Sequence, residues 1–165
     1  MTQVPPWETW DWDVPDGTTG TTLATTVERS TADLLAAVAP LSAGALETPG
    51  TFDRWSGHDL LAHCAAWAEV CATILTELDA GTLDLADYDR LPVGDAEDDG
   101  FNQRQVDDLG DVPTDVLVRR IERARDQAAD ALRRLDGDPP ATLVLLTFGD
   151  HFDDHAAAFR EAAHV

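Results

Sequence analysis

Apolar residues recur at helical spacing along four stretches of the chain. In the first, Leu23, Val27, Thr31, Leu34, Val38 and Leu41 follow at intervals of three and four, one face of a helix. Pro40 and Gly44 fray its end, and Pro49-Gly50 marks a loop. The second carries Leu60, Cys64, Trp67, Cys71, Ile74, Leu75 and Leu78 and runs to Gly81. Its start is the clearest boundary: Ser56-Gly57-His58-Asp59 has capping-box spacing, with Asp in place of Glu or Gln. The third begins at Thr114 and aligns Leu117, Ile121, Ala124, Ala128, Ala131 and Leu135, ending at Gly137 to Pro140. The fourth, about Thr142 to Ala163, aligns Phe148, Phe152, His155, Phe159 and Ala162. No strand pattern remains, so the chain predicts an all-α, up-down-up-down four-helix bundle over residues 18–165.

The segments between these stretches are less regular. Residues 1–17 read as an irregular arm, with Pro5-Pro6, then Trp7, Trp10 and Trp12 among acids. Indoles bury too much apolar area to be left in water. Packing on the outer surface of the bundle is the favoured reading; a strap over a pocket or a contact between two copies are the alternatives. Residues 81–100 read as an acidic loop, followed by a short helix from Phe101 interrupted near Gly110. Asp95, Glu97, Asp99 and Gly100 mimic half of a calcium loop, but Val106 stands where a bidentate Glu is required, which excludes calcium there. Six Arg (119, 120, 123, 125, 133 and 134) lie on the third helix among acids, as expected for solvated i,i+3 and i,i+4 ion pairs.

Charge narrows the function classes. The 165 residues carry 11 basic and 32 acidic side chains, a net of −21, and every basic residue is Arg. Nucleic-acid binding needs clustered positive charge, so no nucleic-acid partner is expected, and anionic membrane surfaces are disfavoured for the same reason. Residues 1–16 lack the basic start and apolar run of a signal peptide, and the longest apolar run, roughly Ala141 to Phe148, is too short to span a bilayer. A cytoplasmic protein is therefore expected. The acidity fits either a salt-adapted surface or a GC-rich genome. Cys64 and Cys71, seven apart on one helix, lie about 10 Å apart, too far for a disulfide, and read as buried fillers.

The candidate chemistry rests on histidines. His151 and His155 form an H-x-x-x-H pair, which places two imidazoles one helical turn apart. His63, on the side of Leu60 and Trp67, could meet them across the bundle. Three His with an open position form a catalytic type of metal site, and each ring needs an acceptor to fix its tautomer, for which Asp59 and Asp154 are the candidates. Ordinary core histidines are the alternative. His58 and His164 read as surface residues.

The stretch Trp55-Ser56-Gly57-His58-Asp59-Leu60-Leu61-Ala62-His63, with Trp67 after it, resembles the signature of the DinB-like superfamily. That superfamily includes the N-terminal domain of mycothiol-dependent maleylpyruvate isomerase. Gly149-Asp150-His151-Phe152-Asp153-Asp154-His155 resembles its C-terminal element, and Phe101-Asn102 before an Arg-rich helix is similar to its third-helix region. The resemblance spans about residues 20–163. It implies a bundle whose divalent metal, zinc or nickel, is held by His63, His151 and His155. Relatives use such a site to activate a thiol or water, as thiol transferases, isomerases or hydrolases. The isomerases' further C-terminal domain has no counterpart in the bundle, so that particular reaction is not implied.

Two function classes follow. One is a metal-dependent enzyme with a low-molecular-weight thiol as cofactor or co-substrate, acting on a small-molecule substrate that the sequence does not name. Asp150 and Glu69 are its candidate bases. The other is a non-catalytic metal- or small-molecule-binding bundle that pairs with itself as a homodimer through Trp7, Trp10 and Trp12.

Overall fold

A computed structural model describes residues 4–88, 91, 95–135 and 137–164. The elements are α1 (Gly20–Val38), α2 (Ala43–Glu47), α3 (Gly57–Ala80), α4 (Asp95–Leu109), α5 (Thr114–Arg134), α6 (Ala141–Val144) and α7 (Asp150–Ala162). A π-helical turn, Leu145–Gly149, joins α6 to α7. Short 3-10 turns occupy Pro6–Thr9 and Leu85–Tyr88. Among the described residues the only β pairing is an isolated bridge between Phe52 and Trp55, so the fold is all-α.

The boundaries follow local chemistry. Thr19 caps α1, accepting from the Thr22 backbone at 3.1 Å while the Thr22 hydroxyl closes the box on the Thr19 N–H. Ser56 caps α3 in the same manner, and the Asp59 carboxylate accepts from Ser56 N–H at 2.9 Å and its hydroxyl at 2.8 Å. An Asp thus completes the capping box. Gly81 ends α3 in the left-handed region at φ 67°, where a Cβ would be strained.

Three expectations need correction. A short helix, α2, forms where only fraying was read, because Ser42 caps it by accepting from Ala45 N–H. The chain is helical from Asp95, six residues before the expected start. The mimicked calcium loop is therefore helix. Residues 89, 90 and 92–94 of the acidic loop lie outside the described residues, as do residues 1–3 of the arm. Finally, the α5 arginines form the expected i,i+3 and i,i+4 pairs only in part, and pair across helices as often as along their own. Arg120 holds Glu69 of α3 bidentately at 2.6 and 2.7 Å, Arg133 reaches Glu28 of α1 and Arg134 reaches Asp79 of α3, while Arg119–Asp115 stays within α5.

The core forms between α1, α3, α5 and the last helical segment. Alanines on both α3 (Ala62, Ala65, Ala68, Ala72) and α5 (Ala124, Ala128, Ala131) are buried, allowing these helices their extensive contact. Gly20 sets the approach of α1 to α5: a Cβ there would overlap the Leu132 carbonyl oxygen. Phe148, Phe152 and Phe159 are fully buried beneath α7. Cys64 and Cys71 are buried and free. By length and mean hydropathy of 1.2, α3 could cross a membrane, although it lay outside the apolar run singled out in the sequence. Here 67% of that window is buried inside the bundle, which its role as a central helix explains.

Candidate metal centre

The Ser56 cap fixes the start of α3, and two turns on His63 points into the bundle, 4% exposed. The π-helical turn precedes α7 immediately. Such turns insert a residue into the helical register and are frequent at functional sites. After it, His151 and His155 emerge half-buried on the side of α7 that meets His63. The three rings meet edge to face, with centroids 4.9 Å (His63–His151), 5.4 Å (His63–His155) and 4.4 Å (His151–His155) apart.

One ligand nitrogen from each ring lies within 4.8 Å of the other two. His63 Nε2 and His151 Nε2 are 2.8 Å apart, and His151 Nδ1 is 3.2 Å from the Thr147 carbonyl oxygen. The Thr147 carbonyl can only accept, so His151 carries its proton on Nδ1. Its Nε2 is then a lone pair, which accepts from His63 Nε2–H. His155 Nε2 is buried with no hydrogen-bond partner, as is His63 Nδ1. Burial, reinforced by the neighbouring rings, holds His63 well below the ordinary His range and pushes His155 down to about 3. Burial also lowers His151, against the Thr147 carbonyl and Asp154. All three rings are therefore neutral, the form that ligates metal.

This donor set fits a divalent metal. Two imidazoles on tetrahedral zinc have nitrogens about 3.3 Å apart, given Zn–N of about 2.0–2.1 Å, and the spacings of 2.8 to 4.8 Å bracket that value. A buried ring nitrogen without a hydrogen-bond partner, such as His155 Nε2, is costly unless a ligand satisfies it.

The rings form part of the wall of a cleft of about 1160 Å³. The Phe52–Trp55 turn, with Asp53 in the left-handed region at φ 57°, supplies a second wall carrying Arg54 and Trp55. Trp67 Nε1 donates to Asn102 Oδ1 at 2.8 Å, and Trp55 Nε1 donates to Gln103 Oε1 at 3.1 Å, so amides of α4 hold both indoles. The arm is placed differently from the favoured reading. Trp7 is buried in the core cluster, while Trp10, edge-on to Trp67, and Trp12 line the cleft. A buried anchor and two indoles over a concave site make the arm a strap over the pocket.

The supporting residues also depart from expectation. Asp59 serves as the Ser56 cap, and Asp154, exposed in the cleft lining, acts on His151 only by its charge. The acceptor for His151 is the Thr147 carbonyl, which no side-chain pattern could reveal. Glu69 is committed to Arg120, and Asp150 is exposed and outside the cleft lining, so neither is placed as a base. His58 is not a plain surface residue: its Nε2–H donates to the Val112 carbonyl at 2.8 Å, tying α3 to the α4–α5 connection. His164 is exposed.

A helical bundle with one histidine from its central helix and two from its last, all meeting at a cleft, is a DinB-like protein. The family model described as mycothiol maleylpyruvate isomerase N-terminal domain matches residues 27–163. The chain belongs to that family. No curated protein and no solved structure matches it.

Proposed function

We propose that this protein is a metal-dependent enzyme in which His63, His151 and His155 hold a divalent ion, zinc or nickel. A small thiol is its cofactor or co-substrate. The observation that carries this reading is the meeting of His63, His151 and His155 in a cleft wall, one nitrogen from each within 4.8 Å of the other two, with the buried Nε2 of His155 left without a hydrogen-bond partner. An ion held by three neutral imidazoles with an open position lowers the pKa of a thiol or water bound there. The chain's own part is positional. The Thr147 carbonyl fixes the His151 tautomer, and the buried phenylalanines beneath α7 fix the presentation of His151 and His155. Trp10, Trp12, Trp55 and Trp67 enclose the substrate and limit water on the cleft side. The indoles of the arm favour this reading over pairing of two copies, since Trp10 and Trp12 turn toward the cleft.

The test is metal analysis of protein purified without a His tag. Close to one equivalent of zinc or nickel is expected, and it should be lost when His63→Ala and His155→Ala are combined. Absence of bound metal, with no uptake on titration, overturns the reading. Transfer assays with a panel of small thiols then separate an enzyme from a metal-binding bundle.

A further inference from the structure

Four of the chain's five tryptophans, Trp10, Trp12, Trp55 and Trp67, line the cleft beside the histidines. They come from the arm, the Phe52–Trp55 turn and α3, so no helical periodicity gathers them. Core packing does not account for them either, since Trp67 is buried but Trp10 and Trp55 are half-buried and Trp12 is exposed. Trp55 and Trp67 have their N–H donors taken by α4 amides, which leaves ring faces rather than donors for a ligand. The face of an indole is electronegative and attracts cations. One of these faces already holds a cation: the Arg54 guanidinium carbon lies 5.5 Å from the Trp55 ring centre. The charge of the lining has the matching sign. Among the described residues its charged side chains are Asp11, Asp53, Asp99 and Asp154 against Arg54, brought together from the arm, the turn, α4 and α7. Arg54 is engaged by the Trp55 face and by Asp99 at 3.7 Å. A divalent ion at the histidines still leaves the lining negative, because carboxylates exceed guanidinium by three. A cleft of one sign concentrates ligands of the other.

We propose that the small molecule taken by this cleft is an apolar cation, an amine or quaternary ammonium group on an aromatic or aliphatic body. This names a substrate class for the function proposed above, and rests on that reading for the cleft's being the place of reaction. The apolar body packs between the strap, with Trp10 and Trp12, and the indoles of Trp55 and Trp67. The positive head lies against indole faces, and the aspartates at the rim balance its charge. A neutral molecule of the same shape gains the burial without either charge contribution. An anion of that shape meets electronegative ring faces and excess carboxylate, and finds Arg54 already engaged.

The experiment titrates three probes of similar shape, phenethylamine, phenethyl alcohol and phenylacetate, into the full chain at neutral pH and follows the indole N–H signals by NMR. Signals of Trp10, Trp12, Trp55 and Trp67 should shift, while Trp7, buried in the core outside the lining, should not. The amine should bind about tenfold more tightly than the alcohol, and phenylacetate most weakly. The lead of the amine should shrink as salt rises. Asp11→Asn/Asp53→Asn/Asp99→Asn leaves one carboxylate against Arg54 and should cut that lead several-fold. Asn tolerates the left-handed backbone at position 53, so the turn is kept. Equal affinity for amine and alcohol, preference for phenylacetate, or amine binding that leaves the four cleft indoles unmoved overturns the proposal. So does a lead unchanged in the triple variant. Chelator-treated protein is titrated alongside, which removes any lead that comes from the amine ligating a metal; loss of the lead there also overturns the proposal. An amine lead in a chain that takes up no zinc upholds the cation preference while the metal reading fails, and zinc uptake without the lead does the reverse.

Discussion

His63 Nε2 and His151 Nε2 lie 2.8 Å apart although 88 positions separate them in the chain. With His151 protonated on Nδ1 toward Thr147, this contact is a hydrogen bond donated by His63. A metal held by both nitrogens, as proposed above, would take the place of that proton. Zinc binding should therefore abolish the shared Nε2 proton signal in NMR spectra. His63→Ala or His155→Ala should each lower zinc affinity by more than the roughly 10–100-fold typical of an outer partner, because a ligand itself is lost. Parent affinity in either variant would show that the ion binds elsewhere.

How much of this was legible depended on whether a feature is local. The Ser56-Asp59 box and the helical spacing of Leu117, Ile121 and Ala124 are written in adjacent turns, and the helices form there. The His151–His155 pair needs only one turn, so its geometry was also readable. The convergence of His63 depends on how α3 meets the last helical segment, which spacing alone leaves open. The π-helical turn escapes detection because it shifts hydrogen bonding by one residue while keeping near-helical backbone angles.

The two ends of the arm should separate in mutagenesis. Trp7 is 3% exposed within the core, so Trp7→Ala should destabilise the fold by about 3–5 kcal/mol, read as a lower melting temperature. Trp12 is 39% exposed and lines the cleft, so Trp12→Ala should leave the melting temperature within a few degrees while weakening ligand binding. Equal destabilisation by both would mean that the arm is wholly structural.

Gly20 and Gly44 offer a matched contrast. At Gly20 an added Cβ meets the Leu132 carbonyl, part of a helix backbone that cannot yield cheaply. Gly20→Ala should therefore cost about 1–3 kcal/mol by overpacking. At Gly44, within α2, nothing lies within 4 Å, and Gly44→Ala should stabilise by up to about 1 kcal/mol. Thermal denaturation of both variants checks the sign of each.

Burial raises the thiols of Cys64 and Cys71, the latter to about 12 from an ordinary 9.0, with the Thr147 side chain opposing the rise. In the unfolded chain both thiols ionise near 9, while in the folded chain they remain protonated. Stability from this source is thus complete below about pH 9 and is lost as pH rises toward the folded value. Denaturant midpoints should fall between about pH 9 and 12 and fall less in Cys64→Ala/Cys71→Ala. At neutral pH a thiol reagent should label neither residue until the chain unfolds.

The net charge of −21 makes its own prediction, and cross-helix ion pairs sharpen it. The exposed pairs contribute little and weaken with salt, so alone they would make stability fall as salt rises. Self-repulsion among 32 acids opposed by only 11 arginines acts in the other direction, since salt screens it. Repulsion should dominate, because most acids have no arginine to pair with. The melting temperature should therefore climb from low to molar sodium chloride. A flat or falling curve would mean that the acidity carries no salt adaptation, leaving genome composition as its explanation.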